Sequence, residues 1–164
     1  MSDAPGLAAS LPPGITPRPA RREDVAAIVR LLADDRLGAG REVVSDPPAG
    51  AYLAAFEQIA ANPRTLLAVA EDATGVVVGT LELTFIPGLS NQGAEQALVS
   101  AVRIDASLRG RGFGAIMMQW AMEAARARGC RQIELLSHAS RTDAHRFYER
   151  LGFAKSHVGM KRAL

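Results

Sequence analysis

The stretch from Val99 to Gly114, VSAVRIDASLRGRGFG, is the part of the sequence that most constrains the fold. It begins as an apolar run, passes a short polar turn and ends in a loop of glycines and arginines. Apolar residues then recur at helical spacing, at Phe113, Ile116, Met117, Trp120, Ala121 and Ala124. A strand, a Gly-rich turn and a helix in this order direct free backbone N–H groups toward the helix N-terminus, where an anion binds. The stretch therefore favours a phosphate-binding turn over an ordinary strand-to-helix connection.

The glycines of this loop are Gly110, Gly112 and Gly114. Glycine weakens a helix start, so three of them at this place indicate a need for close backbone approach or unusual backbone angles. Arg109 and Arg111 flank the glycines and add positive charge. The combination favours a functional role for the loop.

The composition is that of a soluble globular protein and excludes several classes of function. Of the 164 residues 48% are hydrophobic and 22% charged, and the net charge is +2, which fits a single domain. The sequence has no dense Lys/Arg block with interleaved aromatics, which argues against a nucleic-acid partner. It also has no apolar run as long as a membrane span. Cys130 is the only cysteine. It cannot form an internal disulfide and completes no metal-ligand spacing, so a cytoplasmic location without a metal is predicted.

Residues 1–14 are small and proline-broken and are predicted to be a flexible tail, so that one domain spans residues 15–164. Periodicity and turn residues predict the element order β-α-α-β-β-β-α-β-α-β, in which the tail to Leu164 folds back as a last strand or hairpin. The strand Gln96–Ile104 and the strand Arg131–Ser137 run parallel, because a helix crosses over between them. The fold class is α/β (α+β), with a mixed sheet flanked by helices.

The letters GRGFGA at positions 110–115 also satisfy the dinucleotide-binding pattern G-x-G-x-x-G/A, and Glu134 follows at about the required distance of twenty residues. Hairpins precede the loop, however, and some fifty residues follow it. A dinucleotide site normally lies after the first strand of a long parallel sheet. This interpretation remains an alternative.

Two motifs together resemble the GNAT superfamily of N-acetyltransferases. The run RGRGFG at 109–114 is similar to the family's Q/R-x-x-G-x-G/A signature, and AHRFYERLGF at 144–153 is similar to its second hallmark, a helix that ends FYE-R/K-LGF. One helix and one strand separate the motifs, as in the family. The resemblance spans roughly residues 15–164.

The resemblance implies a GNAT-like, mostly antiparallel sheet that splays open between its two central parallel strands. The pantetheine arm of acetyl-CoA would insert there, against backbone groups of Val102, Arg103 and Ile104. The pyrophosphate would bind the loop residues Arg109, Gly110, Arg111, Gly112, Phe113, Gly114 and Ala115. Arg141 stands where many relatives have a cofactor-binding asparagine, and an arginine there could reach a phosphate instead.

The implied reaction transfers an acetyl group from acetyl-CoA to an amine. Tyr148 matches the family's usual general acid at the cofactor sulfur. Several relatives carry a glutamate three residues before the arginine of a V-R pair, where this chain has Ser100. Serine is a poor base without a partner, but it could position a water. Glu82 and His138 are the other candidates, and an amine that arrives neutral needs no base.

The predicted acceptor is a small-molecule amine rather than a protein. The loop Asp34–Asp46 and the turn PGLSNQG at 87–93 are expected to border its cleft. In that loop Asp34, Asp35 and Glu42 suit a cationic acceptor, whereas Arg36 and Arg41 suit an anionic one. A homodimer is compatible with this interpretation. A non-catalytic acyl-CoA-binding or sensing module is the alternative function, because Ser100 departs from the family pattern.

Overall fold

The structure is a computed structural model that describes residues 14–34 and 40–163. Its strands are β1 (Ile15–Pro19), β2 (Thr65–Asp72), β3 (Val77–Ile86), β4 (Gln96–Ile104) and β5 (Gln132–Leu135). Its longer helices are α1 (Val25–Ala33), α2 (Gly50–Ala61), α3 (Phe113–Ala127) and α4 (Thr142–Arg150). Single 3₁₀ turns lie at Arg22–Asp24 and Ala106–Leu108.

The five strands form one sheet in the order β1-β2-β3-β4-β5. All neighbouring strands are antiparallel except β4 and β5, which are parallel. The helix α3 makes the crossover between these two, as the sequence predicts, because parallel strands cannot be joined by a tight turn. The expected mixed, mostly antiparallel α/β fold is confirmed.

The two faces of the sheet carry different cores. On one face Leu81, Leu83 and Phe85 of β3 pack against α3, whose Met117 and Met118 are fully buried. On the other face α1 and α2 form a smaller cluster in which Val25, Val29 and Phe56 are buried. Because alternate residues of a strand point to opposite faces, Thr80, Glu82 and Thr84 lie on the α1/α2 face.

The start of α1 is fixed to the sheet by one arginine. The Arg18 guanidinium donates to both carboxylate oxygens of Asp24, at 2.7 and 3.0 Å, and also to Glu71 on β2. Burial opposes ionisation of Asp24, but hydrogen bonds from Arg18 and from the Arg21 amide outweigh it and hold the Asp24 pKa below its usual value. The network orders the α1/α2 layer over its face of the sheet.

The structure differs from the predicted elements at the C-terminus. The strand predicted over Arg131–Ser137 is shorter, and no strand forms in residues 154–163, so the predicted last strand is wrong. An alternating pattern forms a strand only where it can pair with the edge of a sheet. Residues 154–163 do not pair in this way, and the Val158 and Met160 side chains are exposed. Residues 1–13 of the predicted tail, Asp35, Arg36 and Leu164 lie outside the described residues.

Candidate active site

The sheet opens between β4 and β5. Their pairing runs from Gln96 opposite Gln132 to Val99 opposite Leu135, and the remaining half of β4, from Ser100 to Ile104, has no partner on β5. The opening lies where the sequence comparison places the pantetheine arm. The exposed backbone groups of this half-strand can pair with an inserted ligand in place of a neighbouring strand.

A bulge in β4 coincides with this opening. Thr80 pairs with Arg103 and Glu82 pairs with Ser100, so that two residues of β4 oppose the single residue Leu81. Ala101, within the bulge, has φ +53°, a left-handed conformation that costs a residue with a side chain about 1–2 kcal/mol. Such a bulge leaves backbone groups outside the ladder. The sequence carries no signal for it, because alanine is not a residue that favours this conformation.

The glycine loop forms the start of α3 in the way that anion binding requires. Gly112 is the N-cap with φ +86°, and no side chain caps the helix. The first two helical amides, of Phe113 and Gly114, therefore have no backbone acceptor within the helix. Gly114 is small for another reason: a Cβ there would lie 3.3 Å from the Phe147 ring, on α4. The two sequence motifs thus meet at one contact.

A cavity of about 370 Å³ lies at this contact. Its walls come from the end of β4, the glycine loop and α4, and include Ile104, Leu108, Gly112, Ala115, Phe147 and Arg150. Arg150 was not among the predicted site residues, although it stands inside the second motif. Its signal in the sequence was the FYER run, in which only the tyrosine had been assigned a role.

The arginines around the cavity differ in what they contact. The Arg109 guanidinium donates to the Ile104 carbonyl at 3.1 Å and to the Asp34 carboxylate at 2.7 Å. Arg111 lies over the Phe113 ring, 5.7 Å from its centroid. Arg150 makes no hydrogen bond or ion pair with another described residue. Arg150 is therefore the cavity-lining arginine with uncommitted donors.

Tyr148 lies on α4 in an aromatic cluster. Its ring packs edge-on against Phe147 and Phe153, with centroids 5.1 and 5.9 Å away. Burial raises the pKa of Tyr148, and the positive charges of Arg141 and Arg103 partly oppose the increase. The phenol therefore stays protonated at neutral pH and can donate a hydrogen bond. Arg141, the N-cap of α4, is thus in electrostatic reach of the predicted acid.

The candidate bases lie in two places. Ser100 and Glu82 are opposite each other on β4 and β3, so both side chains are on the α1/α2 face. His138 follows β5, and its Nδ1 atom is 2.8 Å from the Ser140 hydroxyl and accepts from the Ser140 amide at 3.2 Å. One imidazole nitrogen of His138 is therefore held in a local turn.

The predicted acceptor loop is tied to the site at one end. Asp34 pairs with Arg109, so that carboxylate contacts the glycine loop. Glu42 accepts a hydrogen bond from the Tyr52 hydroxyl at 3.0 Å. In the PGLSNQG turn, Asn91 and Gln92 have left-handed backbone angles within a short helical turn at Ser90–Gly93.

The model of the acetyltransferase (GNAT) family matches residues 25–153, which include both motifs and both sides of the opening. The chain belongs to the acetyltransferase (GNAT) family. GNAT enzymes use acetyl-CoA, and the mostly antiparallel sheet is not the parallel sheet of a dinucleotide-binding domain.

Solved GNAT-like structures cover nearly the whole chain. A protein from Bacillus halodurans C-125 described as a transcriptional regulator is 40% identical, with a TM-score of 0.88 over 92% of this chain and 99% of that one. AAC(6')-Iy, solved with the bisubstrate analogue CoA-S-monomethyl-acetylneamine, is 18% identical, with a TM-score of 0.74 over 92% and 97%. The latter likeness shows the fold.

A curated relative shares a shorter segment. The aminoalkylphosphonate N-acetyltransferase of Salmonella typhimurium is 42% identical over 57 residues, which are 35% of this chain and 37% of that enzyme. The match therefore covers little more than a third of the relative's length. Separately, no helix among the described residues is long and apolar enough to cross a membrane.

Proposed function

We propose that this protein is an acetyl-CoA-dependent N-acetyltransferase that acts on the primary amine of a small molecule. One observation carries the proposal: the glycine loop, the end of β4 and α4, the helix that carries Tyr148, line one cavity beside the opening in the sheet. The loop offers unpaired amides to a pyrophosphate, β4 offers backbone groups to a pantetheine arm, and Tyr148 offers a proton donor.

The cofactor is held mainly by backbone. Residues Arg109 to Ala115 bind the pyrophosphate, with the amides of Phe113 and Gly114 as its nearest donors. Val102, Arg103 and Ile104 pair with the pantetheine. Arg150, with uncommitted donors in the cavity wall, contacts a phosphate group of CoA, and Arg141 supplies further positive charge. No metal takes part in this assignment.

The transfer proceeds by direct attack. The amine nitrogen bonds to the thioester carbon, and the carbonyl oxygen gains negative charge that backbone N–H groups of the bulged half of β4 stabilise. The C–S bond then breaks and CoA leaves as a thiolate. Tyr148 donates a hydrogen bond to the sulfur. Because phenol is a weaker acid than a thiol by about 1.5 pKa units, full proton transfer costs about 2 kcal/mol in water.

The acceptor class is proposed from a relative. The curated relative with a partial match is an aminoalkylphosphonate N-acetyltransferase, which makes small amines with an anionic group the first compounds to test. A cytoplasmic location and a homodimer complete the proposal.

A second candidate is a non-catalytic acyl-CoA sensor. Ser100 stands where several relatives have a glutamate, and the 40% identical protein from Bacillus halodurans is described as a transcriptional regulator. Such a protein would bind acetyl-CoA without passing the acetyl group to an amine.

The two candidates are separated by measuring thiol release from acetyl-CoA in the presence of amines. The panel contains aminoalkylphosphonates, amino acids, polyamines, amino sugars and aminoglycosides, and calorimetry measures acetyl-CoA binding in parallel. We expect amine-dependent thiol release and a new N-acetyl product by mass spectrometry. Tight acetyl-CoA binding with no amine-dependent release across the panel would support the sensor instead.

A further inference from the structure

Glu82 lies beside Ser100 because of the sheet register. The two residues are a directly opposed pair of antiparallel strands, so their side chains point to the same face with Cβ atoms about 5 Å apart. A carboxylate on β3 thus stands next to the position where several relatives carry one on β4. Compared with the glutamate of those relatives, the Glu82 carboxylate comes from the neighbouring strand, at the same position along the strand direction.

The environment of Glu82 is unusual for a carboxylate. It is half-buried, and it makes no hydrogen bond or ion pair with another described residue. Its other cross-strand neighbour is Leu67, which packs in the α1/α2 cluster. Burial without a partner costs free energy that exposure to solvent would avoid. No structural contact in the described protein accounts for a carboxylate here.

The row that contains Glu82 leads directly to the opening. Ser100 follows Val99, the last residue of β4 that pairs with β5, and precedes Ala101 of the bulge. The Glu82–Ser100 pair is therefore in the first row of β4 beyond its pairing with β5. The other charged group on this face of β4 is Arg103, opposite Thr80.

Among the residues that the structure describes, the side chains that α1 and α2 bury against this face carry no charge. The buried residues of α1 and α2 are apolar, namely Val25, Ile28, Val29, Leu31 and Phe56. Glu134, on β5, is opposite Leu98 and so shares the face, but it is exposed and lies one row below the opening. Glu82 is thus a half-buried carboxylate in the row at which the strands separate.

We propose that Glu82 is the group that binds the acceptor amine and takes a proton from it, with the Ser100 hydroxyl as the second contact to the nitrogen. This proposal rests on the N-acetyltransferase function above. It replaces the missing glutamate of β4 with a carboxylate from the neighbouring strand.

The acceptor enters as an ammonium and gives one proton to the Glu82 carboxylate, so an N–H bond breaks and an O–H bond forms. The neutral nitrogen then forms the C–N bond, and the C–S bond breaks. The second proton of the nitrogen goes to the CoA thiolate, whereas the Glu82 proton is released to solvent after the product leaves.

The test compares Glu82→Gln with the wild type at several pH values, using the best amine of the panel. At pH 7 kcat/KM for the amine should fall about 100-fold, within the usual range for loss of a general base. The loss should shrink as the pH approaches the pKa of the amine, because neutral amine then exists in solution. The acetyl-CoA dissociation constant should stay within about twofold of the wild type, since backbone groups hold the cofactor.

Three further variants complete the experiment. Glu134→Gln, which removes a carboxylate from the same face, should behave as the wild type. Ser100→Ala should cause a smaller loss than Glu82→Gln. Glu82→Asp, which keeps the charge, should retain part of the activity with the wild-type pH profile, and it provides an answer if the glutamine variant does not fold.

Two results would overturn the proposal: wild-type kcat/KM in Glu82→Gln, or a loss that is equal at every pH and accompanied by weaker acetyl-CoA binding. Calorimetry of amine binding to the CoA complex keeps this test separate from the proposed function. If the wild type binds an amine but transfers nothing, the function fails. The binding role of Glu82 still stands or falls on whether Glu82→Gln abolishes that binding.

Discussion

The two halves of the candidate site are built in different ways. The proposed cofactor half consists of the glycine loop and α4, which meet where Gly114 packs against Phe147. The proposed acceptor half consists of two side chains on one face of the sheet, Glu82 and Ser100, which the strand register brings together. The first half is encoded in two short motifs. The second depends on residues 18 positions apart whose proximity exists only after the strands pair.

This difference indicates which half of the site needs a fixed residue sequence and which half does not. Backbone contacts require glycines and a fixed loop, so the sequence of the cofactor half leaves a recognisable pattern. A carboxylate can reach the same space from either of two neighbouring strands, so the proposed acceptor half has no recognisable pattern in the sequence. The predictions below test whether the two halves are separable, beginning with the largest effect.

Tyr148→Phe should lower kcat about 100-fold, because a positioned proton donor at the leaving group is typically worth at least this factor. The acetyl-CoA dissociation constant should hardly change. The matched control is Tyr52→Phe, since Tyr52 is the other tyrosine and its hydroxyl contacts Glu42. Alkaline spectrophotometric titration should show a phenol that ionises above the usual pKa of about 10, absent from Tyr148→Phe. Weaker acetyl-CoA binding with unchanged kcat would contradict the assignment.

Gly112→Val should weaken acetyl-CoA binding about 30-fold or more. The added side chain stands where the pyrophosphate approaches, and a 30-fold loss corresponds to about 2 kcal/mol of binding free energy. The left-handed φ of +86° at Gly112 also strains a branched residue, which lowers the stability of the fold. Gly75→Val is the control, because Gly75 has φ +83° in the β2–β3 turn, with open space around it and away from the loop. Both variants should lose similar stability by thermal unfolding. Equal acetyl-CoA affinity in the two variants would remove the loop from the cofactor half.

Arg150→Met should weaken CoA binding about fivefold, as expected for an exposed charge contact of about 1 kcal/mol. Comparison of CoA with 3′-dephospho-CoA locates the contact. If Arg150 contacts the 3′-phosphate, the variant should bind the two ligands equally. If Arg150 contacts the pyrophosphate, the variant should bind each ligand more weakly than the wild type, by the same factor. Arg146→Met, one turn earlier on α4 and paired with Asp143, is the control. Unchanged CoA affinity in Arg150→Met would refute the contact.

Asp34→Asn should have the smallest effect, at most about threefold on any kinetic constant, because both partners of the Arg109–Asp34 pair are about half exposed. The pair nevertheless joins the acceptor loop to the cofactor half. A small change in both the amine KM and the acetyl-CoA KM is expected. If Asp34→Asn changed these constants more than Arg150→Met changes CoA affinity, the two halves would depend on each other and would not be separable.

Much of the fold was predictable because local patterns decide it. The limits of β4 and α3 follow from an apolar run, a glycine loop and a helical repeat, and the observed bounds agree. The last strand was wrongly predicted, since the alternation around Val158 does not by itself supply a pairing edge. Arg150 was missed because its neighbour Tyr148 drew the functional assignment. The bulge at Ala101 was missed because nothing in its residue type announces a left-handed conformation.

By itself the sequence determined the family of the protein, the order of its main elements and the place of the glycine loop, because glycines and helical periodicity act over a few residues. Only the tertiary structure decided which side chains come together. It paired Arg109 with Asp34, left Arg150 without a hydrogen-bond or ion-pair partner among the described residues, and set Glu82 opposite Ser100. These relations depend on strand register and on helix packing, which join residues far apart in the chain and leave no local pattern in it.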